Sequence, residues 1–285
     1  MPVLRLALAQ ANPTVGDLAG NSRRARKAVS AAAAAGARLV ALPEMFLTGY
    51  PIEDLALRPS FQESARSAAA SLARELEKEG LGDIVVVVGF LDRIDSAADR
   101  LGRPRGAPVN AAAVIHQGTV VATYAKHHLP NYGVFDEFRY FVPGEDPLVV
   151  RVDGVDVAIA ICEDLWQEGG PVAQARGAGL LLVINGSPYE RNKDDVRLAL
   201  CTERAREAGC ALAYVNMVGG QDELVFDGDS LVVGAEGTVL ARAAQFAEEI
   251  LLVDLDLPAG TRPDAIEMTG AQAAIASPMH AGHVA

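Results

Sequence analysis

The sequence predicts an α/β fold in which two mixed β-sheets pack face to face with helices outside. Short apolar runs alternate with longer helical stretches, the pattern of a layered α/β protein. Hairpin turns at Gln117-Gly118 and Asp153-Gly154 sit among these crossovers, so neither sheet can be wholly parallel. The chain has 285 residues, half of them hydrophobic, enough to bury a substantial core.

Each element has its own signal. Val3 to Gln10 reads as the first strand, and Asn21 as the N-cap of a helix running to Gly36, a C′ glycine. Arg38 to Leu42 is the next strand, stopped by Pro43. Ser60 and Glu63 have capping-box spacing and open a helix that ends near Gly80. Ile84 to Phe90 is a β-branched buried strand, and the charged stretch from Asp92 to Pro108 an exposed loop. Asn110–Ile115 with Thr119–Tyr124, and Leu148–Val152 with Val155–Ile161, form the two hairpins. Leu180 to Ile184 is a buried strand and Asp194 to Ala208 a helix closed by Gly209. Leu212–Asn216, Ser230–Gly234, Val239–Arg242 and Ile250–Leu255 complete the sheets. The division expected is one domain over 1–257 and an Ala-, Gly- and Pro-rich extension or linker over 258–285.

Lys plus Arg number 25 against 37 for Asp plus Glu, a formal charge of −12. That balance argues against a nucleic-acid partner, which needs a basic face. Cys162, Cys201 and Cys210 form no C-x-x-C pair and leave an odd count. A disulfide framework or structural zinc is therefore not expected, and a reducing, cytoplasmic compartment is. The five histidines, His116, His127, His128, His280 and His283, lack metal-ligand spacing, so no metal is expected. The N-terminus does not read as a signal peptide, and no apolar run reaches about 18 residues, so no membrane partner is expected.

Reactive side chains each close an apolar run. Glu44 follows Leu39–Pro43, Lys126 follows Thr119–Tyr124, Cys162 ends Val155–Ile161, and Ser187 comes just after Leu180–Ile184. The crevice beyond strand carboxyl ends is where α/β sheets bind ligands. A thiol with its ordinary pKa of about 8.5 is mostly protonated at neutral pH and needs help to become a nucleophile. Glu44 can take the proton, and Lys126 can stabilise first the thiolate and then an oxyanion. The backbone N–H of Glu163, at a strand-to-helix turn, is a second oxyanion donor. His127 and His128 beside Lys126 leave a Cys–His pair open as a competing arrangement. Cys201 and Cys210 read as packing residues.

Together these residues resemble the nitrilase, or carbon–nitrogen hydrolase, superfamily. Leu42-Pro43-Glu44-Met45-Phe46-Leu47-Thr48-Gly49-Tyr50 is similar to its glutamate motif. Tyr124-Ala125-Lys126-His127-His128-Leu129-Pro130 is similar to its lysine motif, and Ile161-Cys162-Glu163-Asp164-Leu165-Trp166 to its cysteine motif. The resemblance spans about residues 3 to 255. It implies a four-layer α-β-β-α sandwich, catalytic Glu44, Lys126 and Cys162, no metal or cofactor, and a thioester intermediate.

A narrower resemblance rests on the strings Asn131–Phe141 and Val218–Gly228. Both look like the N-terminal glutaminase domain of glutamine-dependent NAD synthetases. This implies that Tyr132, Ser187 and Lys193 hold L-glutamine, with Tyr50 and Glu163 as further contacts and Glu137 as an auxiliary carboxylate near the lysine. It also implies a synthetase domain as partner, in cis or in trans, a homo-oligomer, and ATP used only by that domain. The Ser-Gly-Gly pyrophosphate loop of such a domain does not occur in these residues. The readings are therefore a glutaminase serving NAD synthesis, a stand-alone amidase or nitrilase on another small amide, or a regulatory domain of a synthetase.

Overall fold

A computed structural model describes residues 1–95, 106–191 and 193–268, without the side chains of 193–195. Most of the loop expected between Asp92 and Pro108, the Lys193 side chain, His280 and His283 therefore lie outside the described residues.

The first half of the chain runs β1 (Val3–Gln10), α1 (Leu18–Ala34), β2 (Leu39–Ala41), α2 (Pro59–Lys78), β3 (Val85–Arg93), β4 (Pro108–His116), β5 (Thr119–Ala125) and α3 (Glu137–Tyr140). Next come β6 (Leu148–Val152), β7 (Val155–Ile161), α4 (Glu163–Trp166), α5 (Gly170–Gln174), β8 (Leu180–Asn185), α6 (Lys193–Ala208) and β9 (Ala211–Asn216). The chain continues through β10 (Val218–Gln221), β11 (Leu224–Asp227), β12 (Leu231–Val233), β13 (Val239–Arg242), β14 (Glu249–Asp256) and β15 (Ile266–Glu267).

Two mixed sheets carry the architecture. One has the order β14-β1-β2-β3-β4-β5, the other β13-β12-β9-β8-β7-β6-β15. Period-two alternation of side chains builds the layers. Leu4, Leu6 and Leu8 of β1 and Val157, Ile159 and Ile161 of β7 share the core between the sheets. The intervening Ala7 and Ala9 turn outward and pack with Ala25 and Val29 of α1 and Leu72 of α2. On the far side Ala158 and Ala160 turn outward toward Cys201 and Ala205 of α6. The result is the expected α-β-β-α sandwich, each buried Leu or Val contributing about 1.5–3 kcal/mol. Cys201 and Cys210 are buried in the outer layer, as expected for packing residues, and burial pushes both thiols up to about 12.

Both hairpins form as expected, with Gln117-Gly118 and Asp153-Gly154 at positive φ. Several local expectations are corrected. The N-cap of α1 is Asp17, which accepts the Gly20 N–H at 2.8 Å. Asn21 is instead buried and pins the preceding loop, accepting from Thr14 N–H and donating to the Thr14 and Leu47 carbonyls. No Ser60–Glu63 capping box forms, because Pro59, with its preset φ, already occupies the first turn of α2. Val218–Gln221 and Leu224–Asp227 form a small hairpin of their own. Of its apolar residues, Val225 is exposed and Phe226 fully buried. The stretch expected as an extension stays on the domain as far as Met268: β15 pairs parallel with β6, and buried Asp156 accepts the N–H groups of Thr261 and Arg262.

Candidate active site

β2 and β5 in one sheet, and β7 and β8 in the other, deliver Glu44, Lys126, Cys162 and Ser187 to one end of the sandwich. All four are buried. The Glu44 turn crosses over β3 at Gly89, whose N–H donates to the Pro43 carbonyl and whose carbonyl accepts from Leu47. A side chain at 89 would collide with Pro43 O and Met45 N, so glycine is needed for this close approach. Lys126 is held by its N–H, which donates to the Asn110 carbonyl at 2.8 Å.

Lys126 Nζ donates to Glu44 Oε1 at 2.7 Å and to Glu137 Oε1 at 3.0 Å. It also lies 2.9 Å from Glu137 Oε2. Burial alone would favour the neutral amine, but Glu137 and Glu44 outweigh it and hold the Lys126 pKa well above its usual value. Glu44 is further fixed by Asn110 Nδ2, which donates to Oε1 at 2.7 Å, and by Gly186 N–H, which donates to Oε2 at 2.7 Å. Tyr50 OH donates to Glu137 Oε1 at 2.9 Å. Burial pushes the Glu137 carboxyl up to about 7, with Lys126 opposing the rise and Glu44 adding to it.

Cys162 follows β7 at φ 45° and ψ −98°, a conformation that L-residues rarely adopt. Burial, then the Glu44 charge, raises its thiol well above the ordinary value, while Lys126 pulls it down. The Cys162 thiol thus feels both Glu44 and Lys126. His127 is not placed for the Cys–His alternative: it donates Nδ1–H to the Gly144 carbonyl at 2.7 Å and stands edge-on to His128.

Cys162 forms part of a pocket of about 310 Å³ that also takes in Glu163, Ser187, Tyr132, Trp166, Glu190 and Arg191. Glu163 accepts from Tyr132 OH at 2.8 Å and from Gln167 Nε2 at 2.7 Å. Ser187 is locked by Asn216, which accepts its N–H and donates to its carbonyl. Tyr50, expected as a substrate contact, commits its hydroxyl to Glu137. Among the described residues, no group of three or more His, Cys, Asp or Glu side chains could hold a metal ion. No helix among them is long and apolar enough to cross a membrane.

Two buried residues absent from the sequence-based set hold the site. Asn110 bridges toward both carboxylates. Asp164 accepts from Tyr124 OH and from the N–H groups of His127, His128 and Ile161. Asp164 lies within the cysteine motif, a signal that could have marked it. Asn110 had only its place in a buried strand, an unusual setting for an amide.

An α-β-β-α sandwich with Glu, Lys and Cys converging at one end is the arrangement of the carbon–nitrogen hydrolases. The sequence profile of that family matches residues 5–262, and the chain belongs to it. It is 43% identical over 270 residues to the glutamine-dependent NAD(+) synthetase of Thermotoga maritima, covering 94% of this chain and 44% of that protein. The chain thus spans a little under half the length of this relative. The structure of a glutamine-dependent NAD+ synthetase from Acinetobacter baumannii, solved with ADP, superposes with a TM-score of 0.80 at 34% identity. That match covers 93% of this chain and 49% of the other. An amidase from Nesterenkonia sp. AN1 superposes with a TM-score of 0.73 at 31% identity, covering 88% and 90% of the two chains. In that structure, a variant, the acetamide moiety of fluoroacetamide is added covalently at the active site cysteine.

Proposed function

We propose that this chain hydrolyses the side-chain amide of L-glutamine and supplies the ammonia to an NAD synthetase domain. The observation that carries the reading is the buried Glu44–Lys126–Glu137 cluster, together with Cys162 in the lining of a pocket. The identity to full-length glutamine-dependent synthetases supports the choice of substrate. Glu44 takes the thiol proton as Sγ attacks the amide carbon, so that no free thiolate has to persist in a buried site. Lys126 and the Glu163 N–H receive the developing oxyanion. The proton on Glu44 passes to the amide nitrogen, the C–N bond breaks, and ammonia leaves a thioester on Cys162. Water, deprotonated by Glu44, then attacks the thioester and releases glutamate and the thiol.

Tyr132, Ser187, Glu163 and Lys193 bind the amino-acid end of glutamine, and Glu137 assists Lys126. The hydrolysis needs no cofactor; ATP would be consumed only by the synthetase domain. We place the chain in the cytoplasm as a homo-oligomer whose glutaminase activity rises when the synthetase domain holds its adenylated substrate.

A second reading, a small-amide amidase, is favoured by the match to nearly the full length of the Nesterenkonia enzyme. Ammonia release from glutamine, compared with a panel of short aliphatic amides, separates the two. Turnover of glutamine that vanishes in Cys162→Ala and exceeds turnover of the other amides is expected. Preference for acetamide or propionamide would overturn the glutamine reading.

A further inference from the structure

The wiring of Glu44 carries an asymmetry. A carboxylate oxygen offers about two lone-pair sites. Glu44 Oε1 accepts from both Lys126 Nζ and Asn110 Nδ2, each at 2.7 Å. Among the described residues Oε2 accepts only the Gly186 N–H, which leaves its second lone pair without a donor there. Asn110 is fully buried, and the same Nδ2 lies 3.5 Å from Glu137 Oε1. Lys126 Nζ likewise touches the Oε1 atoms of both carboxylates. The two carboxylates therefore crowd around one ammonium and one amide.

We propose that Asn110 is a positioning residue that reserves Glu44 Oε2 as the proton-accepting atom and keeps Glu44 and Glu137 from sharing a proton. This rests on the assignment of Glu44 as the base. Two carboxyl groups pressed together lower their energy by sharing one proton. A base caught in such a pair could not accept the proton of Cys162. The amide blocks this route because its N–H is too weakly acidic to transfer a proton and occupies the lone pair through which the pair would form. Its backbone carbonyl, by accepting the Lys126 N–H, fixes the ammonium in the same register. One residue of β4 thereby sets the relative positions of all three charges.

The groups facing position 110 are Glu44 from the turn after β2, Lys126 after β5 and Glu137 from α3; Tyr50 and Cys162 in turn interact with both carboxylates. Asn110→Asp is nearly isosteric. In its protonated form it can still donate to Glu44; once ionised it adds a third carboxylate to the cluster. Asn110→Ala removes the donor at every pH.

The test is the rate of Cys162 alkylation by iodoacetamide across pH, with the adduct located by mass spectrometry. Loss of one charge-assisted hydrogen bond predicts a drop of about tenfold or more in Asn110→Ala at all pH values. Asn110→Asp should match that loss above neutrality and recover toward the wild-type rate in acid. Adding Asn110→Ala to Glu44→Gln should slow alkylation no further. Equal, pH-independent losses in the Asp and Ala variants would reveal a packing role and overturn the proposal, as would wild-type rates in either. Should Asn110→Ala fail to fold, Asn110→Ser supplies the truncation with a donor kept and should lie between wild type and Asn110→Asp above neutrality. Iodoacetamide does not require glutamine to be the substrate. A chain inert toward glutamine that still shows this pH signature would lose the substrate assignment and keep the one made for Asn110.

Discussion

Tyr124 and Asp164 join the two sheets beneath the candidate active site, the phenol donating to Asp164 Oδ2 at 2.7 Å. Tyr124 belongs to the strand that delivers Lys126, and Asp164 to the turn that delivers Cys162. Asp164 also accepts the N–H groups of His127, His128 and Ile161, so it fixes the backbone on both sides of the gap. Burial raises the Asp164 pKa while these donors oppose the rise.

Asp164→Ala would leave a buried hydroxyl and three backbone N–H groups without their acceptor. Each unsatisfied group costs about 1–3 kcal/mol, so the variant should lose at least about 3 kcal/mol of stability. Tyr124→Phe removes one donor along with its share of the hydrogen bonding and should cost about 1 kcal/mol. Urea denaturation of both variants checks the ranking. A Tyr124→Phe loss equal to that of Asp164→Ala would show that the backbone contacts carry nothing.

Lys126 and His127 are neighbours with opposite expected importance. Lys126 Nζ sits between two buried carboxylates, whereas the His127 ring is turned onto the Gly144 carbonyl. Lys126→Gln should reduce kcat by about 10²–10³, the usual cost of a lost oxyanion donor. His127→Gln should stay within about fivefold of wild type, since no transition-state contact is removed. Steady-state hydrolysis at matched folding, verified by circular dichroism, compares them. A fatal His127→Gln beside an active Lys126→Gln would restore the Cys–His arrangement.

Glu137 gives the domain a signed pH dependence. Its folded carboxyl is raised from about 4.5 to about 7, burial being the main cause. Between those values the folded state holds a proton that the unfolded chain has released. Stability from this group is therefore greatest below about pH 4.5 and falls as pH rises toward 7. Glu137→Gln stays neutral throughout and should flatten that part of the profile. Thermal melts at half-unit pH intervals measure it. An identical slope in wild type and Glu137→Gln would mean that Glu137 is ionised across the whole window.

The layers and the strand-end residues were legible because they rest on local signals: apolar runs, Asp-Gly and Gln-Gly turns, and polar residues where strands stop. Asn21 failed as an N-cap because capping depends on which side chain reaches the first turn, and Asp17 reaches it. The Val218–Asp227 hairpin was hidden by its glycines and short strands, which lack alternation. The roles of Asn110 and Asp164 depend on partners at long range in the chain, such as Glu44 for Asn110, 66 residues away, and Tyr124 for Asp164. Periodicity reports burial, while a hydrogen-bond partner distant in the chain leaves no local trace.

Gly89 tests whether the crossing of β3 beneath the Glu44 turn sets the geometry of Glu44, the proposed base. A Cβ at position 89 would meet Met45 N, Pro43 O and Glu44 C, all backbone atoms that cannot rotate away. The turn would have to lift, and Glu44 would move relative to Lys126, Asn110 and Gly186. Overpacking of this kind costs about 1–3 kcal/mol, so Gly89→Ala should still fold at low temperature. Because a displacement of about 1 Å at a reacting group can cost 10²-fold, its activity should fall far more than its stability. Gly220→Ala, in β10, is the control: its Cβ would approach only Leu224 O, at 3.8 Å, so both properties should hold. Denaturation and kcat measured on the two variants give the answer. A Gly89→Ala enzyme with wild-type kcat would show that the base tolerates movement of its turn.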